Sequence, residues 1–460
     1  MRTALRIFRK DARHLWPAVV LLLAVTAFEG YLNAQVPAEN PWQATIGGLW
    51  IVVCVFVCAS AVLEESLPSH EQYWLTRPYR RRDLLAAKVM FALVFAAAPQ
   101  IVAQTIALLA NGVSPVRHAG VLAITAFGFS MAVALCSMAV AAVCESLMQF
   151  VWAALAAGLG FAVLLIVTRS SVSVVESYEA WVRNAAMAFV VLPIVVAVLF
   201  WQYHVRRTNW ARGILAAAIA LSAVASAQAS FHRTFAVQGM LSPRQRDSAG
   251  VTIEFEPGRA LPAMRDDVFA GRALRVVLPV RVAGIPADTR LVAERIATTI
   301  EDQNVSGQLE QLQGVWWIML RVPPGFTQSA RHLRSTAALR LLGNPQSGIL
   351  QPRGRTRGLP RGAVCSAGPG MIPRSAQAFC AWPGKAPPYG LAWVAGPSFE
   401  SLLTPVGTTF PVSGAIWERS AAAFSQDSGE LRLVVWDAVA NFERELDIPQ
   451  IRLSDYVVKP

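Results

Sequence analysis

Charge is scarce in this sequence. Asp, Glu, Lys and Arg make up 15% of its 460 residues, against about one-quarter in an ordinary soluble domain. With 54% hydrophobic residues and a mean hydropathy of +0.42, the deficit excludes a wholly soluble chain. Acid is scarcer than base, and the net charge is +12. In a soluble protein that excess suggests a nucleic-acid partner. Here it gathers beside apolar runs, where membrane topology and anionic lipid account for it, so membrane lipid is expected as a partner and nucleic acid is not. The six histidines are scattered, with none at metal-ligand spacing from Cys or Asp. His70-Glu71 opens like the zinc-protease H-E-x-x-H, but Trp74 stands where the second His belongs. The phosphate loop G-x-x-x-x-G-K-[ST] and the nucleophile elbow G-x-S-x-G do not occur. The sequence therefore offers no catalytic constellation, no metal site and no nucleotide cofactor site of its own.

What the chain has instead is long apolar runs between residues 16 and 230, and beyond them a stretch of ordinary soluble composition at 231–460. About 20 apolar residues span a bilayer as helix. The expected spans are 16–32, 45–63, 84–110, 119–143, 150–168, 185–203 and 214–229, the seventh short and rich in Ala and Ser. With the N-terminus inside, the cytoplasmic segments hold thirteen Lys and Arg and the external loops three, which sets the orientation. Seven spans put 231–460 outside; six would leave it in the cytoplasm. Arg206, Arg207 and Arg212, then an apolar run and Ala-Ser-Ala-Gln-Ala at 225–229, have the layout of an export signal. That segment reads as a retained seventh anchor or as a cleaved signal, and either drives export of residues 231–460.

The densest basic cluster in the first half lies in EESLPSHEQYWLTRPYRRRDLLAAK, residues 64–88. It falls between the second and third spans, with Asp83 expected as N-cap of the third. Tyr73, Trp74 and Leu75 beside Arg77, Arg80, Arg81, Arg82 and Lys88 suit a short amphipathic helix at the membrane surface. Composition alone reads equally well as a solvated positive-inside loop. The order of residue types, W-L-T-R-P, then basic residues, then L-L-A-A-K opening a span, resembles the cytoplasmic loop of ABC-2-type transporter permeases. The resemblance covers about residues 1–212. It implies that the loop couples to a separate ABC ATPase subunit holding ATP and magnesium. It further implies a homo- or heterodimer of permease subunits, export as the direction, and the bacterial inner membrane as the location. Residues 1–15, basic and apolar by turns, then correspond to an elbow helix at the cytoplasmic surface. A second reading is an envelope sensor or scaffold that presents its C-terminal part and moves nothing.

Polar residues inside spans are costly and often line pathways. Glu29 in the first span and Gln100 and Gln104 in the third, just after Pro99, are either interhelical packing or a substrate path. The implied fold class is an α-helical polytopic membrane domain of six to seven spans, ABC-2-like, at 16–230. A β-rich soluble domain occupies 231–460, expected to be a β-sandwich, with a split near 350 where Gly, Pro and Arg concentrate. Strands are expected at 251–256, 274–282, 315–322, 338–342, 390–394, 431–436 and 451–458, and 291–302 as helix or strand. Trp316-Trp317 reads as core and surface of one strand or as a carbohydrate or lipid platform. Cys54, Cys58, Cys136 and Cys144 lie in or at the ends of spans. Cys365 and Cys380, the only two in the soluble part, read as an exported disulfide or as two free thiols.

Overall fold

The computed structural model describes residues 2–35, 42–64, 80–169, 177–205, 207–228, 231–241, 246–260, 274–312, 314–323, 330–351, 354–369, 375–384, 390–397, 399–405, 417–425 and 430–457. The helices come first: α1 (Arg2–His14), α2 (Trp16–Gln35), α3 (Gln43–Leu63), α4 (Arg81–Ala110), α5 (Ala119–Ala141), α6 (Leu147–Arg169), α7 (Ser177–Val205), α8 (Thr208–Gln228) and α9 (Phe231–Leu241). Among the described residues, five helices are long and apolar enough to cross a membrane: Trp16–Gln35, Thr45–Leu63, Arg81–Ala110, Ala119–Ala141 and Ala188–Val205. Their outer faces are as apolar as their inner ones. Val20, Leu21 and Phe28 of α2, Val52 and Phe56 of α3, and Val102, Ile106 and Leu109 of α4 are exposed, as they are in a helix bathed by lipid. Helix α9 was not anticipated from the sequence.

The strands are β1 (Thr252–Phe255), β2 (Leu274–Ala283), β3 (Arg290–Ile300), β4 (Gln303–Leu312), β5 (Val315–Val322), β6 (Ala330–Leu350), β7 (Gly354–Thr356), β8 (Val364–Pro369), β9 (Ser375–Pro383), β10 (Gly390–Gly396), β11 (Phe399–Leu402), β12 (Thr404–Pro405), β13 (Trp417–Ser425) and β14 (Leu431–Arg452). They form a nine-stranded sheet, β1-β2-β5-β4-β3-β6-β14-β10-β11, and a five-stranded one, β12-β13-β9-β8-β7. The stretch 291–302, open between helix and strand in the sequence, is strand up to Ile300. Strands β6 and β14 run far beyond the short segments expected inside them.

The chain divides into two compact units. One is Met1–Thr234 with Ser347–Ala386 and Trp393–Val434; the other is Phe235–Gln346 with Pro387–Ala392 and Val435–Pro460. The boundary at 346/347 is not a split within one β-rich domain of the kind expected near 350. It does not separate helices from strands, because 347–386 and 393–434 belong with the helices.

In the second unit, alternating residues of β2, β3, β5 and β6 build the core: Val276 and Leu278, Ile296 and Ile300, Ile318 and Leu320, Leu339 and Leu341. Trp317 is buried, and Trp316 packs half-buried on the same core. The register of β3 against β6 slips between Ala293 and Arg295. This bulge carries Glu294 toward the buried Arg340 guanidinium, 3.3 Å away. Bulges re-aim side chains in this way.

In the first unit, the helices share a core of Leu22, Trp50, Val57, Phe91, Met138 and Leu199. The five-stranded sheet packs on helix ends. Val364 and Ala381 of its β8–β9 hairpin join Leu108, Val113, Leu122 and Ala126 in one buried cluster. Gly384 has φ +57, and a Cβ there would come within 2.4 Å of Val121, so only glycine permits this approach. Arg355 donates to the carbonyls of Ala34 and Gln35 at the end of α2. Cys365 and Cys380 face one another in the β8–β9 register and are joined, with Cα atoms 4.1 Å apart.

Candidate functional site

Two stripes of residues bring α2 and α4 together. On α2, Leu22, Thr26, Glu29, Gly30 and Asn33 recur at helical spacing and are buried. On α4, Gln100, Ala103, Gln104, Ala107 and Leu108 do the same. Gly30 lets the helices close, since a Cβ there would meet the Ala103 Cβ at 2.9 Å. The two helices rise in parallel, because contacts advance along both: Glu29 with Gln100, Gly30 with Ala103, then the Asn33 carbonyl with Asn111.

The Lys88 end of this pair is built from charge. Lys88 is 1% exposed and Asp11 not at all. Lys88 Nζ donates to Asp11 Oδ2 at 2.7 Å and to the Ala61 carbonyl at 2.6 Å. Ala61 lies in the last turn of α3, where carbonyls have no helical partner and the helix dipole favours a cation. Around this pair, Lys10 stands 3.5 Å from Asp11 and 3.9 Å from Glu64, and His14 Nε2 stands 3.0 Å from Glu64. Burial pushes the Glu64 carboxyl above its usual range; the Asp11 charge adds to this, while His14, Lys10 and Lys88 oppose it. Phe8 of α1 stacks on Phe95 at 5.6 Å and meets Phe91 edge-on at 6.4 Å. Helix α1, the expected elbow, is thus fastened to the end of α3 and the start of α4, the two points between which the basic loop runs.

Of the loop residues singled out from the sequence, Tyr73, Trp74, Leu75 and Arg77 lie outside the described residues. Arg80 and Arg82 are exposed, and Arg81 donates to the His204 carbonyl at 2.6 Å. Lys88 is turned inward onto Asp11. The resemblance makes it a coupling residue of the loop, but its ammonium is committed to the chain's own fold. Asp83 is not the N-cap: α4 begins at Arg81, with Arg80 in the extended cap position and Asp83 in the first turn. There its charge still complements the helix dipole.

The Asn111 end is built from neutral amides and one carboxylate. Gln100 Nε2 donates to Glu29 Oε2 at 3.1 Å. Asn111 Nδ2 reaches the carbonyls of Ala107 and Asn33 at 2.7 and 3.3 Å. A π-helical turn at Leu93–Ala97 immediately precedes Pro99; the wider turn accommodates the missing proline N–H, and such turns recur at functional sites. Glu29, Gln100 and Gln104 lie on the two buried stripes of α2 and α4. Sequence reading missed Asp11, Asn33 and Asn111. Asp11 was detectable, since Ala4, Ile7 and Asp11 form one face of α1, and an acid on an apolar face requires a partner. No family description, curated protein or solved structure matches this chain.

Proposed function

We propose that this chain is the membrane-spanning permease subunit of an ABC-2-type ATP-driven exporter. ATP is bound and hydrolysed on a separate ABC subunit, and two permease subunits or half-subunits act together. The chain sits in the bacterial inner membrane, crosses it seven times and keeps its N-terminus in the cytoplasm. The observation that carries this reading is the basic, aromatic loop at 64–88, whose flanks at Glu64 and Lys88 join the elbow-like α1 through one charge cluster. A force applied to that loop by a closing ATPase would reach α1, α3 and α4 together. The chemistry of the two ends of the α2–α4 pair supports the orientation. The charged end belongs with the cytoplasm, and the end against which the disulfide-bearing sheet packs belongs with an oxidising compartment.

The test is co-purification in mild detergent. The wild-type protein should retain a nucleotide-binding subunit, and Trp74→Ala should lose it while inserting normally, since an aromatic hot spot contributes about 2 kcal/mol or more. If the wild type retains no such subunit, and Trp74→Ala matches it in every transport or resistance assay, the permease reading fails. The scaffold reading then takes its place. It is favoured by the size of the β-rich region, which holds all fourteen described strands.

A further inference from the structure

We propose that Glu29, Asn33, Gln100 and Gln104 form a buried binding site for a monovalent alkali cation. The site requires no ATPase and holds equally for a permease or a scaffold. All four side chains are at most 1% exposed. Among the described residues, Glu29 Oε1, Asn33 Oδ1 and Nδ2, Gln100 Oε1, and Gln104 Oε1 and Nε2 have no hydrogen-bond partner. Buried polar atoms are costly without partners, most of all among membrane helices, where water does not reach them. Unpartnered atoms concentrated on two facing stripes point to a shared ligand rather than to isolated defects.

Their chemistry selects the ligand. Four of the six atoms are oxygens, from one carboxylate and three amides, and hard cations take oxygen ligands. A proton on Glu29 would add one donor to the amide N–H groups of Asn33 and Gln104, which have no partner either, and would leave a neutral site. A cation can answer all four oxygens at once. Charge selects the valence: a single positive charge neutralises the single carboxylate, whereas a divalent ion would leave net charge among apolar helices. The nearest basic group on the same helix, Lys88, is already paired with Asp11. The close approach at Gly30 and Ala103 packs the stripe carrying Glu29 and Asn33 against the one carrying Gln100 and Gln104, and Gln100 already reaches Glu29 across it. The amide nitrogens of Asn33 and Gln104 are left for bridging water, which such polar sites commonly hold.

The experiment uses the full-length protein in detergent micelles. Thermal unfolding is followed in sodium, potassium, lithium and choline chloride at equal ionic strength. At least one alkali chloride should raise Tm by several degrees over choline, saturably, as a ligand of the folded state does. Calorimetric titration of that chloride should give binding at least tenfold weaker in Gln104→Leu and Glu29→Gln. Gln104→Leu keeps the test valid should Glu29→Gln fail to fold, because it removes a ligand without disturbing the carboxylate. Identical Tm in choline and all alkali chlorides overturns the site, as does an undiminished shift in both variants. A shift that follows pH alone assigns a proton in place of the cation, and one reproduced by magnesium chloride overturns the monovalent assignment.

Discussion

The two ends of the α2–α4 pair resolve the same difficulty differently. Both bury polar groups among apolar helices. At the Lys88 end every charge meets another: Lys88 has Asp11 and a helix-end carbonyl, and Glu64 has His14 and Lys10. Toward the Asn111 end one carboxylate meets one amide, and further amides are left over. Carboxylate oxygens without a hydrogen bond occur at both ends, Asp11 Oδ1 and Glu64 Oε1 at one and Glu29 Oε1 at the other. At the Lys88 end each still has a basic side chain within 4 Å, which closes that end and marks a fastening, whereas among the described residues the other end offers oxygens with no basic group set against them. The contrast separates two polar features that are alike in the sequence, a lysine and a glutamate each inside an apolar run.

The strongest way to break this comparison is at its closed end. Lys88→Met leaves Asp11 buried without its counter-charge, which costs about 3–5 kcal/mol when one partner of a buried pair is removed. The double variant Asp11→Leu/Lys88→Met should recover most of that loss, because well-packed apolar residues replace buried pairs with little penalty. Denaturant unfolding of the three purified proteins measures both. A double variant as unstable as the single one would show that the pair is more than a fastening.

Next in size is the staple on the opposite end. Cys365 and Cys380 are 15 residues apart, and closing such a loop contributes about 3 kcal/mol in the chain-entropy model. Replacing both with Ser should therefore destabilise the five-stranded sheet by about that amount, read as proteolytic sensitivity at 354–384. The helices should remain intact. Thiol alkylation of the wild type under denaturing, non-reducing conditions should leave both cysteines unmodified, and two free thiols would remove the bridge.

Between the two ends, Gly30 fixes how closely the helices approach. Gly30→Leu places a side chain where even a Cβ meets Ala103 at 2.9 Å. Overpacking of this kind costs about 1–3 kcal/mol. It should separate the stripes carrying Glu29 and Gln100 while leaving the Lys88–Asp11 pair in place. Unfolding curves together with cross-linking of paired cysteines along α2 and α4 would measure the separation. An unchanged cross-linking pattern would show that the helices adjust by rotation instead.

Much of this was legible in the residues. Five of the seven expected spans, those at 16–32, 45–63, 84–110, 119–143 and 185–203, coincide with helices long and apolar enough to cross a membrane among the described residues, and the two β-region cysteines followed from their isolation. The seam followed in part, because Glu29, Gln100 and Gln104 are conspicuous where lipid is expected. What was not legible depends on contacts remote in sequence. Lys88 looked like one more basic residue of the loop, because its partner Asp11 lies 77 positions away and charge counting does not say which way a side chain points. Asn33 and Asn111 lie at helix ends, where asparagine is ordinarily a cap. The long strands β6 and β14 were seen only as short fragments, since Gly343, Pro345 and Gly348 interrupt one and charged residues the other. The sheet pairs across such interruptions when the neighbouring strands supply the register.

The smallest expected effect tests whether the closed end is as self-sufficient as its partners suggest. Burial raises the Glu64 carboxyl above its ordinary value of 4.5. Between that value and the higher one in the folded chain, the folded protein holds a proton that the unfolded chain has lost. Stability should therefore fall as pH rises through this window and level off above it. Asp11 steepens the effect, while His14, Lys10 and Lys88 flatten it. Because the carboxylate is partly solvated and salt-bridged at its edge, the change should stay below about 1 kcal/mol. Glu64→Gln carries no titrating proton there, and its unfolding midpoint should be flatter across the same pH range. A slope that survives in Glu64→Gln would transfer the titration to another member of the cluster. That result would overturn Glu64 as the source of the pH dependence, and the Lys88 end would no longer be a static fastening with one titrating carboxyl at its edge.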